Sequence, residues 1–203
     1  QITNDVYSDI QISWSPNGEE LLLVSDRSNN ILSPYWYTDI ISITGNEFNN
    51  YDIYKLHING SLDRLTTTPF NESHPSFSPD GTQIAYISDE SGIFNINITE
   101  NDCQSYQTIT NVLTGITQLD WSTNNQLIFS GFYKSGYDIF VLSDINTKIE
   151  NTKPIINSKW RDKNKDYDLL RQSDIYSSNN SSDYLENYKF TQNSREDNST
   201  YDS

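Results

Sequence analysis

Methionine is absent from this 203-residue chain, cysteine occurs once and histidine twice. With Cys103 alone, no intramolecular disulfide forms and no paired-cysteine zinc motif exists, so cysteine usage leaves the redox compartment open. The two histidines, His57 and His74, show no repeated ligand spacing, and neither a metal nor another cofactor is read from the sequence. Basic residues are scarce: 13 Lys and Arg stand against 28 Asp and Glu, a net charge of −15. Residues 1–150 carry −14 of that charge and residues 151–203 only −1. Nucleic acid and anionic lipid need a basic footprint, so both are excluded as direct partners. The acidity suits a basic partner or divalent cations, although a solvated acidic surface is the simpler reading. No apolar run is long enough to span a membrane, so direct insertion by this segment is not expected. A Gly-x-Ser-x-Gly elbow, a Walker loop, a dinucleotide fingerprint and a zincin helix are all missing. The acidic pair Asp89-Glu90 reads as a solvated turn. The segment is therefore expected to be non-catalytic. Starting at Gln1 without a methionine, it is expected to be a piece of a longer protein.

What is present is repetition. A hydrophobic-Thr pair occurs as Ile2-Thr3, Leu65-Thr66 and Ile109-Thr110. Each is followed 12 residues later by an aromatic-Ser pair, Trp14-Ser15, Phe77-Ser78 and Trp121-Ser122. A third marker, aromatic-Asp/Asn-Ile, reads Tyr51-Asp52-Ile53, Phe94-Asn95-Ile96 and Tyr137-Asp138-Ile139, in steps of 43. That period is one four-stranded propeller blade, roughly 40–50 residues. Ser15-Pro16-Asn17-Gly18 and Ser78-Pro79-Asp80-Gly81 are turns, with Pro presetting φ and Gly accepting positive φ. The third copy, Ser122-Thr123-Asn124-Asn125, keeps Asn as the next-best left-handed residue. Short β-branched or aromatic runs follow each turn at strand length (21–24, 84–87, 127–129). The Asp52 and Asp138 strands alternate with period two.

These markers resemble the WD-like repeat of TolB-type propellers, with its leucine-threonine pair, serine-proline-aspartate-glycine turn and aspartate-isoleucine-tyrosine strand. The resemblance covers about residues 2–148. It implies an all-β propeller of four-stranded antiparallel blades, about three of them present, at about 4–66, 67–110 and 111–150. Strands are expected at 9–15, 20–26, 52–58 and 62–66. The second blade is expected to use 74–78, 83–88, 93–98 and 106–110. The third is expected to use 117–122, 126–131 and 137–142, with a weak strand after that. Ile2-Thr3 reads as the end of an outer strand of a preceding blade. Propellers typically close with 4–8 blades, which three do not reach.

The first repeat carries an insertion at 29–50 that includes Tyr35, Trp36 and Tyr37. Projecting, the trio would grip a partner; folded back, it would pack on the flank of the sheet. Inner strands place His74, Gln118 and Asp120 near the channel mouth, where a structural or surface role for His74 is the simpler reading. After Lys153-Pro154 the chain becomes a polar linker or tail, 151–203, expected to be largely irregular apart from a short helix around 163–176 and a short strand at 189–191. The resemblance implies a non-catalytic protein-interaction module of the bacterial periplasm or cell envelope, with a protein partner. Outer-membrane association would come only through further parts. Abundant Asn, Ile, Tyr and Lys suit an AT-rich bacterial genome. The alternatives are a substrate-gating propeller of a larger serine peptidase and a carbohydrate- or cation-binding propeller.

Overall fold

A computed structural model describes residues 2–3, 7–28, 50–150 and 154–163 of the chain. The first sheet has the order β1 (Asp9–Trp14), β2 (Glu20–Ser25), β3 (Asp52–His57), β4 (Leu62–Arg64). The second repeats it with β5 (Glu72–Phe77), β6 (Gln83–Ser88), β7 (Asn95–Glu100) and β8 (Tyr106–Thr108). The third contains β9 (Ile116–Trp121), β10 (Leu127–Tyr133) and β11 (Gly136–Leu142). All neighbouring strands are antiparallel, and the inner strands β1, β5 and β9 lie beside one another in turn. This is an all-β propeller arrangement with three blades among the described residues. Tyr35, Trp36 and Tyr37, nearly all of the insertion, and the tail beyond residue 163 lie outside the described residues.

The repeat markers correspond to specific bonds. In each turn the serine hydroxyl accepts a backbone N–H where the second strand begins, from Glu20 to Ser15 and from Gln83 to Ser78, and from Gln126, just ahead of β10, to Ser122. The fourth turn residue has positive φ in all three copies, 73° at Gly18, 73° at Gly81 and 57° at Asn125. Asn125 thus fills the glycine position, as its tolerance of the left-handed region allows. Asp80 accepts from Ser78 and Thr82, and these bonds hold its carboxyl below the usual range.

The other two markers meet in a latch. In blade one the Ile53 N–H donates to Thr66 Oγ1 at 2.9 Å, while the Ile53 carbonyl accepts the Leu65 N–H at 2.8 Å. In blade two the Ile96 N–H donates to Thr110 Oγ1 at 2.8 Å, and the Ile96 carbonyl accepts the Ile109 N–H at 2.9 Å. The threonine hydroxyl then donates to the residue ahead of the isoleucine, Asp52 or Asn95. The hydrophobic-Thr pair thereby fastens the outer strand to the third strand beyond the three ladder residues of β4 or β8.

Blade-to-blade packing uses the two faces that strand alternation creates. Leu22 and Ile53 on the rear face of blade one cluster with Phe77, Ile84 and Tyr86 on the front face of blade two. Ala85, Ile87, Ile96 and Ile98 on the rear of blade two cluster with Ile116, Trp121 and Leu127 of blade three. Each fully buried aliphatic contributes about 1.5–3 kcal/mol. Lys55 adds a polar tie, donating from Nζ to the Asn101 carbonyl at 3.0 Å.

Several expectations are corrected. No fourth strand follows β11 among the described residues; α1 (Ile145–Glu150) stands there instead. Ile145 and Ile149 are four apart, on one helical face, and join the cluster between blades two and three. β7 begins at Asn95 rather than 93, because Ser91 and Asn95 side chains both donate to the Ile93 carbonyl and hold that residue in the turn. β5 begins at Glu72 rather than 74, with a bulge between Ser73 and Ser76 where Pro75 interrupts the ladder. Ile2-Thr3 is not in a strand. A short helix, α2 (Lys159–Lys163), precedes the segment expected to be helical; Ser158 caps it by accepting the Arg161 N–H. Asp89 and Glu90 are engaged rather than simply solvated: Asp89 accepts the Asn71 N–H and Glu90 accepts the Tyr106 hydroxyl.

The acidic surface also conceals buried acids. Asp52 is fully buried and paired with Arg64 at 2.6 Å. Asp9 is paired with the buried Arg27, whose guanidinium lies 5.3 Å from the Tyr7 ring centroid and 5.7 Å from that of Tyr54. Glu72 sits at the first position of β5, as Asp9 does in β1. Its Oε1 accepts from Thr68, and its Oε2 is buried without a hydrogen bond. Burial above all, with the nearby Asp52 and Asp89 charges, lifts its pKa from an ordinary 4.5 to about 8.

Two measurements check this account. Replacing Thr110 by Val strands the Ile96 N–H and frees the Asn95 side chain; urea denaturation is expected to show a loss of about 1–3 kcal/mol. For Glu72, the folded state holds the proton that the unfolded chain releases above its ordinary pKa. Stability is thus fully present below pH 4.5 and falls as pH rises toward about 8. Glu72→Gln should flatten that part of the profile and, at its upper end, exceed the parent protein by roughly 2–4 kcal/mol. Parallel pH profiles for the two proteins would show that Glu72 ionises freely in the folded state.

Candidate functional site

The axial surface is built by β1, β5 and β9. The first two carry bulges at equivalent places, between Ile10 and Ser13 and between Ser73 and Ser76. Within these bulges Gln11 has φ 53° and His74 has φ 50°. Neither is glycine, and a left-handed residue of this kind costs on the order of 1–3 kcal/mol. The strained conformations bring the two residues together. The His74 N–H donates to Gln11 Oε1 at 2.8 Å, and Gln11 Nε2 lies 3.4 Å from His74 Nε2. Bulges re-aim side chains in this way at functional rims.

His74 Nδ1 is buried without a hydrogen bond. Burial pulls the imidazole below its ordinary pKa, which favours the neutral ring at neutral pH. Asp120, on the neighbouring β9, is exposed. Its Oδ1 accepts from Ser76 Oγ at 3.2 Å and from the Trp121 N–H at 2.9 Å. The Trp121 N–H also approaches Ser76 Oγ at 3.0 Å. Asp120 therefore fastens blade three to blade two at the axis. Of the candidates from the sequence, His74 and Asp120 occupy adjacent inner strands without a direct hydrogen bond between them. Gln118, exposed on β9, holds the strand position that His74 holds on β5.

Sequence reasoning passed over Gln11 and Ser76. A signal for Gln11 existed: it precedes His74 by 63 residues, the same interval that separates Trp14 from Phe77. No such signal marks Ser76, whose hydroxyl matters because of the neighbouring blade.

The arrangement offers hydrogen-bond donors and acceptors without a nucleophile. No hydroxyl or thiol bonds to His74 among the described residues. Cys103 is a weak candidate, because burial pushes its thiol up to about 11. No group of three or more His, Cys, Asp or Glu among the described residues is arranged to hold a metal. A groove of about 850 Å³ lies beside the outer strand of blade one, lined by Lys55, Asp63, Arg64, Leu65, Thr67, Asn101 and Asp102. Three of its charged side chains have partners: Lys55 with the Asn101 carbonyl, Arg64 with Asp52, and Asp63 with His57. No helix of the described residues is long and apolar enough to cross a membrane.

No protein-family profile matches the chain, and no curated protein matches it either. Solved structures do. A protein assigned as TolB from Agrobacterium tumefaciens aligns at TM-score 0.52 and 22% identity, covering 69% of this chain and 46% of its own. TolB from Acinetobacter baumannii aligns at TM-score 0.50 and 18% identity, covering 68% of this chain and 30% of its own. The chain thus spans less than half the length of these proteins. Three antiparallel blades, the turn they share and these neighbours give the fold: the chain has a β-propeller fold similar to that of the TolB structures.

Proposed function

We propose that this chain is a non-catalytic protein-interaction propeller of the bacterial cell envelope. The observation that carries the reading is the axial surface: two strained bulges aim Gln11 and His74 together on strands next to the one that carries Gln118 and Asp120, with no nucleophile bonded to His74 among the described residues. Strain kept at equivalent positions of two blades is justified by recognition more readily than by stability. A neutral imidazole, two amides and a carboxylate make a surface that reads hydrogen-bonding groups. The charge of −15 favours a partner with basic or donor-rich segments. The envelope location rests on the TolB-type repeat resemblance. Tyr35, Trp36 and Tyr37 are proposed as a second contact, aromatic residues being favoured interface anchors.

The test is affinity capture from envelope extracts with the parent chain, an Asp120→Lys and Gln118→Lys double variant, and a variant with Tyr35, Trp36 and Tyr37 replaced by Ala. A protein partner retained by the parent chain should be lost by the axial variant, with circular dichroism unchanged. Weakened capture by the aromatic variant assigns the insertion a share. Identical recovery by all three chains would remove both surfaces from the proposal. Peptide hydrolysis by the purified chain would overturn the non-catalytic reading.

A further inference from the structure

The corner of blade two where β6 turns toward β7 is completed by a segment from beyond blade three. The Ser158 N–H donates to the Ser91 carbonyl at 2.8 Å, and the Arg161 guanidinium lies 4.6 Å from the Phe70 ring centroid. Blade one makes both kinds of contact with its own residues. Its Ser28 carbonyl accepts the Tyr54 hydroxyl at 2.6 Å, and its Arg27 guanidinium lies over the Tyr7 ring. The positions correspond: Tyr7 and Phe70, Arg27 and Glu90, and Ser28 and Ser91 are each 63 residues apart, the interval between Trp14 and Phe77. Asn97 follows Ile96 as Tyr54 follows Ile53. Blade two thus has Glu90 and Asn97 where blade one has its guanidinium and its hydroxyl. Arg161 and Ser158 supply the equivalent groups from outside the blade.

The blade is shaped for this occupant. Gly92 has φ 75°, and a Cβ there would stand 2.3 Å from Ser158 Oγ and 3.2 Å from Arg161 Cβ. A side chain at 92 would therefore displace the turn that Ser158 caps by accepting the Arg161 N–H. Charge favours the same contact. Lys159, Arg161 and Lys163 stand against Asp162 on α2, while residues 1–150 carry −14. The occupant is nevertheless lightly seated. No residue of α2 is buried, and Trp160 and Ile156 are 54% and 72% exposed. A segment integral to the core would bury such side chains. This one contributes a cation and a backbone donor, as a docked peptide does.

We propose that Phe70, Ser91 and Gly92 form a docking site for an arginine-bearing peptide segment, and that residues 154–163 hold it as an internal ligand which a protein partner's segment of the same chemistry displaces. Phe70 takes the guanidinium through a cation–π contact. The Ser91 carbonyl takes a backbone N–H three residues ahead of that arginine, and Gly92 leaves room for the turn between them. The site uses none of the axial residues Gln11, His74, Gln118 and Asp120, so it stands apart from the axial reading.

The test uses the full 203-residue chain and, as probe, a fluorescein-labelled synthetic peptide of residues 154–163. In the parent chain the tethered segment competes with the probe, and Arg161→Ala weakens that competitor. Anisotropy titration should show the probe binding the Arg161→Ala chain about tenfold more tightly than the parent chain. A probe that itself carries Arg161→Ala should lose that gain. Adding Phe70→Leu to the Arg161→Ala chain removes the ring and should abolish the tight binding; Gly92→Ala repeats this test should the Phe70 variant fail to fold. Adding Gln118→Lys and Asp120→Lys instead should leave the probe bound at physiological salt. Equal affinity of the parent and Arg161→Ala chains for the probe, or no binding to either at high micromolar concentration, would overturn the proposal. So would loss of the probe in the axial variant, which would place the peptide at the axis.

Discussion

Blades one and two each depend on one threonine hydroxyl. The outer strands β4 and β8 are three residues each, too short for ladder bonds alone to hold them firmly. The latch extends that hold: a threonine accepts the isoleucine N–H and donates to the side chain before it. The donor's target differs between blades, and its surroundings differ with it. In blade one the target is Asp52, a buried carboxylate, and Arg64 neutralises it at 2.6 Å. In blade two the target is the neutral Asn95, and the residue in Arg64's place is Thr108, which donates to Asn97. A buried charge is kept only where its partner is kept, as desolvation requires.

The position that opens each inner strand follows the same constraint with three outcomes. Asp9 is paired with Arg27, which is itself enclosed between Tyr7 and Tyr54. Glu72 has Glu90 where Arg27 would be, so it has no such cation and holds its proton instead. Ile116 avoids the problem by being apolar and buried. Three copies of one backbone thus carry an ion pair, a protonated acid and a hydrocarbon at the same seat. The backbone geometry survives because its bonds come from turns and latches rather than from this side chain.

That division explains what could be read before the structure. The turn serines, the left-handed Gly18, Gly81 and Asn125, and the Thr66 and Thr110 latches are local bonds between residues at fixed spacing. Their chemistry is visible in the one-dimensional pattern. Burial of Glu72 and Arg27 was not visible, because a charged residue next to a turn looks solvated until the side chains folded over it, such as Tyr7 and Tyr54 around Arg27, are placed. The helix after β11 was missed for a related reason: Ile145 and Ile149 suit a helix, but their packing against blade two decides the matter. At the axis, His74 could be picked out by its scarcity. Its partner Gln11 and the Ser76–Asp120 bond required knowing which strands lie side by side.

The same reasoning separates the positions that maintain the propeller from those that distinguish it. Turn, latch and rear-face positions are filled alike in blades one and two because each has a bond or a contact to satisfy. Gln11, His74 and Gln118 occupy one strand position and satisfy no contact common to all three blades. Two of them hold strained backbone conformations, and His74 keeps a buried nitrogen without a partner. A repeat that needed only stability would place a residue compatible with φ near 50° at these points, and glycine is the obvious one. Glutamine and histidine there cost stability, which fits the recognition role proposed for the axis. Blade-specific function is therefore expected where the repeat's own bonds make no demand.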